Sequence, residues 1–187
     1  MDTNQEIELI KEILDGNTDK FRVIADRYGE QLFHVAMGYM HSGEEAEDIV
    51  QESLIKAYNS LGSFKGESRL STWLYRITVN TCINELEKRK RRWLFGAGRV
   101  KSEEITEIFG SSSQGSPEQQ LIDKETTIKV RMAIDALPQK QKSAFILQRY
   151  QDLSQHEIAQ IMDTTEGAVE QLLQRAKSNL KKALLLQ

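Results

Sequence analysis

The sequence predicts an all-α fold of two small helical domains joined by a flexible linker. Three observations carry that expectation. Charged residues and strong helix formers dominate the 187 residues while β-branched runs are scarce, which favours helices over strands. Only two prolines, Pro117 and Pro138, interrupt the chain. Apolar residues recur at i, i+3, i+4 and i+7 along successive segments, so each segment buries one face of a helix.

The elements follow in order. Ile7, Ile10, Ile13 and Leu14 sit at helical spacing, and Asp15-Gly16 is a stop signal. A second helix carries Phe21, Ile24, Ala25, Tyr28, Leu32, Val35, Ala36 and Tyr39. A third, opened by Ser42-Gly43, carries Ala46, Ile49, Val50, Ser53, Leu54, Ala57, Tyr58 and Leu61. Leu61 to Leu70 reads as a loop containing Gly62 and Gly66, and Ser71 is placed to cap a fourth helix with Leu74, Ile77 and Thr81 facing inward. From about Gly96 to Pro117 the periodicity lapses into glycines and serines around Glu103, Glu104 and Glu107, the composition of a flexible linker. A helix resumes near Glu118 and runs to Leu137, and Pro138 suits the first turn of another that reaches Tyr150. Ser154 then caps a short helix, and a last one runs from about Thr165 to the end. The expected division is a domain over 1–95, a linker over 96–117 and a second domain over 118–187.

Composition excludes several function classes. A single cysteine, Cys82, forms no internal disulfide, and with three scattered histidines it builds no usual zinc site. No apolar stretch is long enough to span a membrane, and the acidic Met1–Glu8 lacks the features of a signal peptide. The expectation is a soluble cytoplasmic protein with no cofactor, no metal and no membrane insertion. No nucleophile–base pair or phosphate-cradling glycine loop is visible, so binding rather than catalysis is expected. His34 and His156 read as packing or surface residues, and Cys82 as a half-buried helix residue.

The net charge of −3 conceals an asymmetry. Residues 1–60 are strongly acidic, with only Lys11, Lys20, Arg22, Arg27 and Lys56 opposing. Residues 61–95 reverse this, with Lys65, Arg69, Arg76 and the run Lys88 to Arg92 against Glu67, Glu85 and Glu87. Two surfaces for two partners follow, although Lys88 to Arg92 reads equally well as a solvated helix end.

Leu153 to Leu180 fits a helix-turn-helix. Ile158 and Ala159 fall on a first helix with Met162 beneath, Val169 and Leu172 lock a second across it, and Asp163 fills the tight turn where glycine is usual. The same spacing suits an ordinary helical hairpin. The second helix offers Thr165, Gln171, Gln174, Arg175, Lys177, Lys181 and Lys182 to bases and phosphates, against Glu166 and Glu170. In the first domain, Phe64 to Ile77 interleaves aromatics with cations around a loop and helix start, a composition that stacks on unpaired bases and holds a backbone. Trp73 and Tyr75 suit a core role better than Phe64 does.

These segments resemble a known family. Glu45-Ala46-Glu47-Asp48-Ile49-Val50-Gln51-Glu52 resembles the polymerase-binding motif of sigma region two. Leu70 to Ile77 followed by Asn80 resembles its melting segment, and Leu137-Pro138 with Leu153 to Leu180 resembles sigma region four. The order and the tether between them point to the extracytoplasmic-function class of bacterial RNA polymerase sigma factors, and the resemblance covers nearly the whole chain. It implies a transcription initiation factor that binds core RNA polymerase and recognises minus-ten and minus-thirty-five promoter elements. Glu47, Asp48, Gln51 and Glu52 would dock on the clamp coiled coil of the polymerase β′ subunit, with the β subunit as a further contact. Phe64, Lys65, Arg69, Trp73, Arg76 and Asn80 would serve minus-ten DNA. Thr165, Glu166, Glu170, Gln171, Gln174, Arg175 and Lys177 would serve minus-thirty-five DNA. The chain departs from the family's frequent aspartate and arginine at Asn84 and Glu87, and from its usual basic residue, serine and arginine at Glu170, Gln171 and Leu172. With both working faces bare in the free chain, an anti-sigma protein is expected to wedge between the domains. The alternative reading is a stand-alone helix-turn-helix regulator that dimerises through its N-terminal helices.

Overall fold

The structure, a computed structural model, describes residues 3–94 and 117–185, with side chains for 4–94 and 125–185. Among the described residues there are eight α-helices and no strand: α1 (Thr3–Leu14), α2 (Phe21–Met40), α3 (Gly43–Ser60), α4 (Leu70–Leu94), α5 (Pro117–Asp135), α6 (Gln139–Gln151), α7 (Gln155–Met162) and α8 (Glu166–Leu185). The expected linker lies almost wholly outside the described residues.

Helices α2, α3 and α4 pack on one another, and α1 lies against the short turns that precede α2 and follow α3. Burial follows the apolar stripes: Ile24, Leu32 and Val35 of α2, Ala46 and Ala57 of α3, and Leu74 of α4 are inaccessible or nearly so. The Tyr28 hydroxyl donates to the buried Glu6 carboxylate and so ties α1 to α2; burial, with the adjacent Glu6 charge, pushes that phenol up to about 12. Gly16 adopts φ +109 beyond α1, a left-handed conformation that a side chain would strain. In the C-terminal half α8 is the centre, with α5, α6 and α7 all packed on it. A small second core joins Ala133, Ile134 and Leu137 to Ala176 and Leu180.

The helix boundaries show which terminal signals operate. Ser42 caps α3 by accepting from the Glu45 N–H. Ser154 caps α7 in a reciprocal box with Glu157, whose carboxyl the Ser154 hydroxyl and amide hold below the usual carboxylate range. The cap expected at Ser71 is corrected: α4 begins at Leu70, and it is the Arg69 carbonyl that accepts from Trp73 N–H, so Ser71 sits inside the first turn. Pro138 stands one position outside α6, its carbonyl accepting from Lys142, and α5 stops at Asp135 rather than Leu137. Three helices end in left-handed residues that are not glycine, namely His41, Asp152 and Asp163. Cys82 is fully buried rather than half-buried, and burial pushes its thiol up to about 12.

The two halves share one continuous core. Helix α6 packs on α2 and α7 on α4, so that Ile146, Leu147, Ile158 and Val169 join the same buried cluster as Leu32, Tyr39 and Leu74.

Candidate functional site

The docking face expected on α3 is presented as the helix geometry requires. Ala46, Ile49, Ser53 and Ala57 are buried, and Glu47, Asp48 and Gln51 are exposed on the opposite side. Glu52 is half-buried and pairs with Lys56 at 2.7 Å. Tyr58, placed on the buried stripe by its spacing, is instead 41% exposed, although its ring edge meets Phe21 at 5.2 Å. With the exposed Ile55 it extends the acidic face by an apolar end.

The aromatic-basic segment forms a loop and the first two turns of α4. Gly66 turns the loop at φ +71. Phe64 and Trp73 are both half-buried and pack on each other, centroids 5.4 Å apart. Tyr75 is core, with its hydroxyl against Gln31 and Gln151, and burial pushes it up to about 12. Lys65, Arg69, Arg76 and Asn80 are exposed. Arg69, Arg76 and Asn80 recur at helical spacing and share one face with Trp73. The later basic run is mostly neutralised from within: Glu85 pairs with Lys88, Arg89 and Arg92, and Glu45 with Arg89.

The helix-turn-helix geometry is present in α7 and α8. Ile158, Ala159 and Ile161 pack against Val169 and Leu173, and Asp163 makes the turn at φ 52. Thr165 closes the start of α8 by accepting from Ala168 N–H at 3.2 Å. Glu166, Glu170, Gln174 and Lys177 lie on one exposed face, with Gln171 and Arg175 on its flank. Neither carboxylate is bare: Glu166 meets His156 Nδ1 at 2.7 Å, and Glu170 accepts from Gln174 at 3.3 Å.

These last two surfaces meet. A cleft of about 660 Å³ has the loop residues Phe64 and Lys65 with Trp73 and Arg76 on one wall, and Gln160, Thr165 and Glu166 on the other. Arg76 donates to the Gln160 carbonyl, and Arg69 lies 3.6 Å from Glu157. The acidic face of α3 lines no part of this cleft.

Sequence reading missed the residues that join the halves. Lys142 and His41 converge on Asp135 at 2.7 and 3.0 Å. Burial raises the Asp135 carboxyl, but the hydrogen bonds and charges of His41 and Lys142 outweigh it and hold the group below its ordinary value. One signal was available: Gly38 stands inside an otherwise regular helical stripe, where glycine is costly unless something approaches closely. Among the described residues, no group of three His, Cys, Asp or Glu is placed to hold a metal ion, and no helix is long and apolar enough to cross a membrane.

Two helical units carrying an acidic helix, an aromatic-basic loop and a helix-turn-helix define the class. Sigma-70 region 2 matches residues 24–92 and Sigma-70, region 4 matches residues 127–180. The chain is 32% identical to the RNA polymerase sigma-H factor of Pseudomonas aeruginosa over 181 residues, covering 96% of this chain and 94% of that protein. It is 31% identical to the ECF RNA polymerase sigma factor SigW of Bacillus subtilis over 176 residues, covering 94% of each. It is also 35% identical to the ECF RNA polymerase sigma-E factor of Salmonella typhimurium over 170 residues, covering 90% and 88%. The chain therefore belongs to the extracytoplasmic-function class of RNA polymerase sigma factors. In fold it is similar to the sigma factor RpoE of Bartonella quintana, solved with the anti-sigma factor NepR, with TM-score 0.65, 24% identity and coverage of 88% and 96%. It is likewise similar to CnrH, solved with the cytosolic domain of CnrY, with TM-score 0.63, 20% identity and 94% of each chain covered.

Proposed function

We propose that this chain binds core RNA polymerase and directs it to promoters by recognising minus-ten and minus-thirty-five elements, without catalysis of its own. The observation that carries this reading is the placement of three chemically distinct exposed surfaces on one scaffold. Glu47, Asp48, Gln51 and Glu52 are the docking residues on the β′ clamp coiled coil, with the β subunit as a further contact. Phe64, Lys65, Arg69, Trp73, Arg76 and Asn80 serve minus-ten DNA, and Thr165, Glu166, Glu170, Gln171, Gln174, Arg175 and Lys177 serve minus-thirty-five DNA. The functional division is 1–95, 96–117 and 118–187, and the site of action is the cytoplasm.

The mechanism is the conversion of binding energy into strand opening. Melting costs about 1.4 kcal/mol per base-pair step in lost stacking. An extruded base stacked on an aromatic returns roughly 1–3 kcal/mol, and Phe64 is the ring at the lip of the cleft placed to receive it. Docking through α3 supplies affinity that an acidic chain lacks for DNA, and makes the second contact intramolecular. An anti-sigma protein is the regulatory partner, a reading supported by the two similar folds solved with such partners. The test is transcription in vitro with purified core polymerase on genomic DNA, with start-site mapping. Starts with a shared pair of upstream elements, present only when the chain is added, are expected; starts identical with and without it refute the reading.

A further inference from the structure

The two reading surfaces face each other, and the residues that hold them so are specific. Ile146 of α6 is fully buried against Gly38 of α2, where a Cβ would lie 2.7 Å from Ile146 Cγ2 and 3.2 Å from the Tyr150 ring. Every near neighbour of that absent Cβ comes from α6, so glycine at this position serves the junction and not α2 itself. Beside it the buried Tyr39 hydroxyl donates to Ser143 Oγ at 2.8 Å, and the Lys142 ammonium sits 5.4 Å from the Tyr39 ring centroid. Gln151 donates to the Gln31 carbonyl at 3.1 Å and accepts from Tyr75 at 2.9 Å. These contacts bury polar groups with their partners satisfied, the condition under which a polar junction selects a single arrangement.

The consequence is steric. A cleft of 660 Å³ suits a small molecule. It cannot admit a duplex, whose major groove alone is about 12 Å wide and 8.5 Å deep. Promoter elements named for positions about 25 base pairs apart lie some 85 Å apart at about 3.4 Å per pair, whereas here their proposed readers line one cleft. The α3 face stays open to solvent on another side.

Building on the function proposed above, we propose that the C-terminal unit is itself the occluding partner of the minus-ten surface: the free chain is latched shut through the α2–α6 and α4–α7 contacts, with only its polymerase-docking face available. The working order follows. Docking through α3 comes first, and separation of the units uncovers the DNA-reading surfaces afterwards. The apparent affinity of the closed chain for DNA is reduced by its open fraction.

Gly38→Ala is the direct test in the full chain. Alanine is the better helix residue, so α2 is strengthened, while the added methyl overpacks only the junction and shifts the closed–open balance on the order of tenfold. Tyr39→Phe is a second, independent lesion of the latch. Two readouts are taken: small-angle scattering, where a closed globule of this length has a radius of gyration of roughly 16 Å, and anisotropy of a short labelled single-stranded DNA of mixed sequence. The wild type is expected to be compact, and both variants expanded, with DNA affinity raised about tenfold. A wild type that is already extended overturns the latch. Expansion without a gain in DNA affinity overturns the occlusion. In that case, polymerase-dependent transcription by Phe64→Ala separates the two proposals: impaired transcription leaves the minus-ten assignment standing, and normal transcription removes that as well.

Discussion

Reversing charge on α3 isolates docking from folding. Asp48 and Glu52 are one turn apart; Asp48 makes no ion pair among the described residues, and Glu52 pairs only with Lys56. Both side chains of that pair are about two-fifths exposed, at 42% and 41%. Its loss is worth about 0.3–0.5 kcal/mol, and the like-charge contact created opposite Lys56 costs a similar amount. The combined substitution Asp48→Lys with Glu52→Lys therefore costs the fold under about 1 kcal/mol, a melting shift of roughly 2–4 °C for a chain of this size. At an interface, losing desolvated charge partners costs about 2–5 kcal/mol, a fall in polymerase affinity of roughly 30-fold to several-thousand-fold. Fluorescence titration of labelled chain with core polymerase reads the second quantity, and circular dichroism melting reads the first. Retention of affinity within about threefold, with an unchanged melt, refutes the assignment of this face.

The other predictions concern DNA and pH. Phe64→Ala and Asn80→Ala in the polymerase-bound chain are expected to impair open-complex formation, read by permanganate reactivity of promoter thymines, more than closed-complex binding; equal losses at both stages assign these residues to packing or duplex contact. Glu170→Lys is expected to strengthen promoter binding by the holoenzyme and steepen its salt slope by roughly one unit, as for one added phosphate contact, with Arg175→Ala acting in the opposite sense; no change in either places this helix face away from the groove. Asp135, facing His41 and Lys142, has a folded-state value below its ordinary one, so it stabilises the fold above the unfolded value of about 3.9 and that contribution fades as pH falls through the folded value. Thermal melts of the wild type and Asp135→Asn are expected to diverge above pH 4 and converge below it, whereas a constant gap across that range would show that the carboxylate charge contributes nothing. Cys82, buried and with its thiol pushed up, is expected to resist a maleimide until the chain unfolds; labelling of the native chain at the rate of an exposed thiol refutes that burial.

The sequence by itself determined every helix, because each buries one apolar stripe whose period can be counted without knowing what covers it. Ser42, Ser154 and Asp163 were legible for a similar reason: a cap or a tight turn is closed by atoms within a few residues, so local order is enough. The exposure of Glu47, Asp48 and Gln51, and of the α8 residues from Glu166 to Lys177, also followed from periodicity alone. Tertiary structure decided what period cannot express. Tyr58 lies on the apolar stripe of α3 yet faces largely outward, since the stripe is wider than the surface available to cover it. Ser71 has the chemistry of a cap, but packing of Leu70 drew the helix start one residue earlier. Above all, the junction between the units joins residues about a hundred positions apart, such as Tyr39 with Ser143 and His41 with Asp135. Nothing local records such a pairing except the glycine at 38, whose missing side chain is the space that Ile146 occupies.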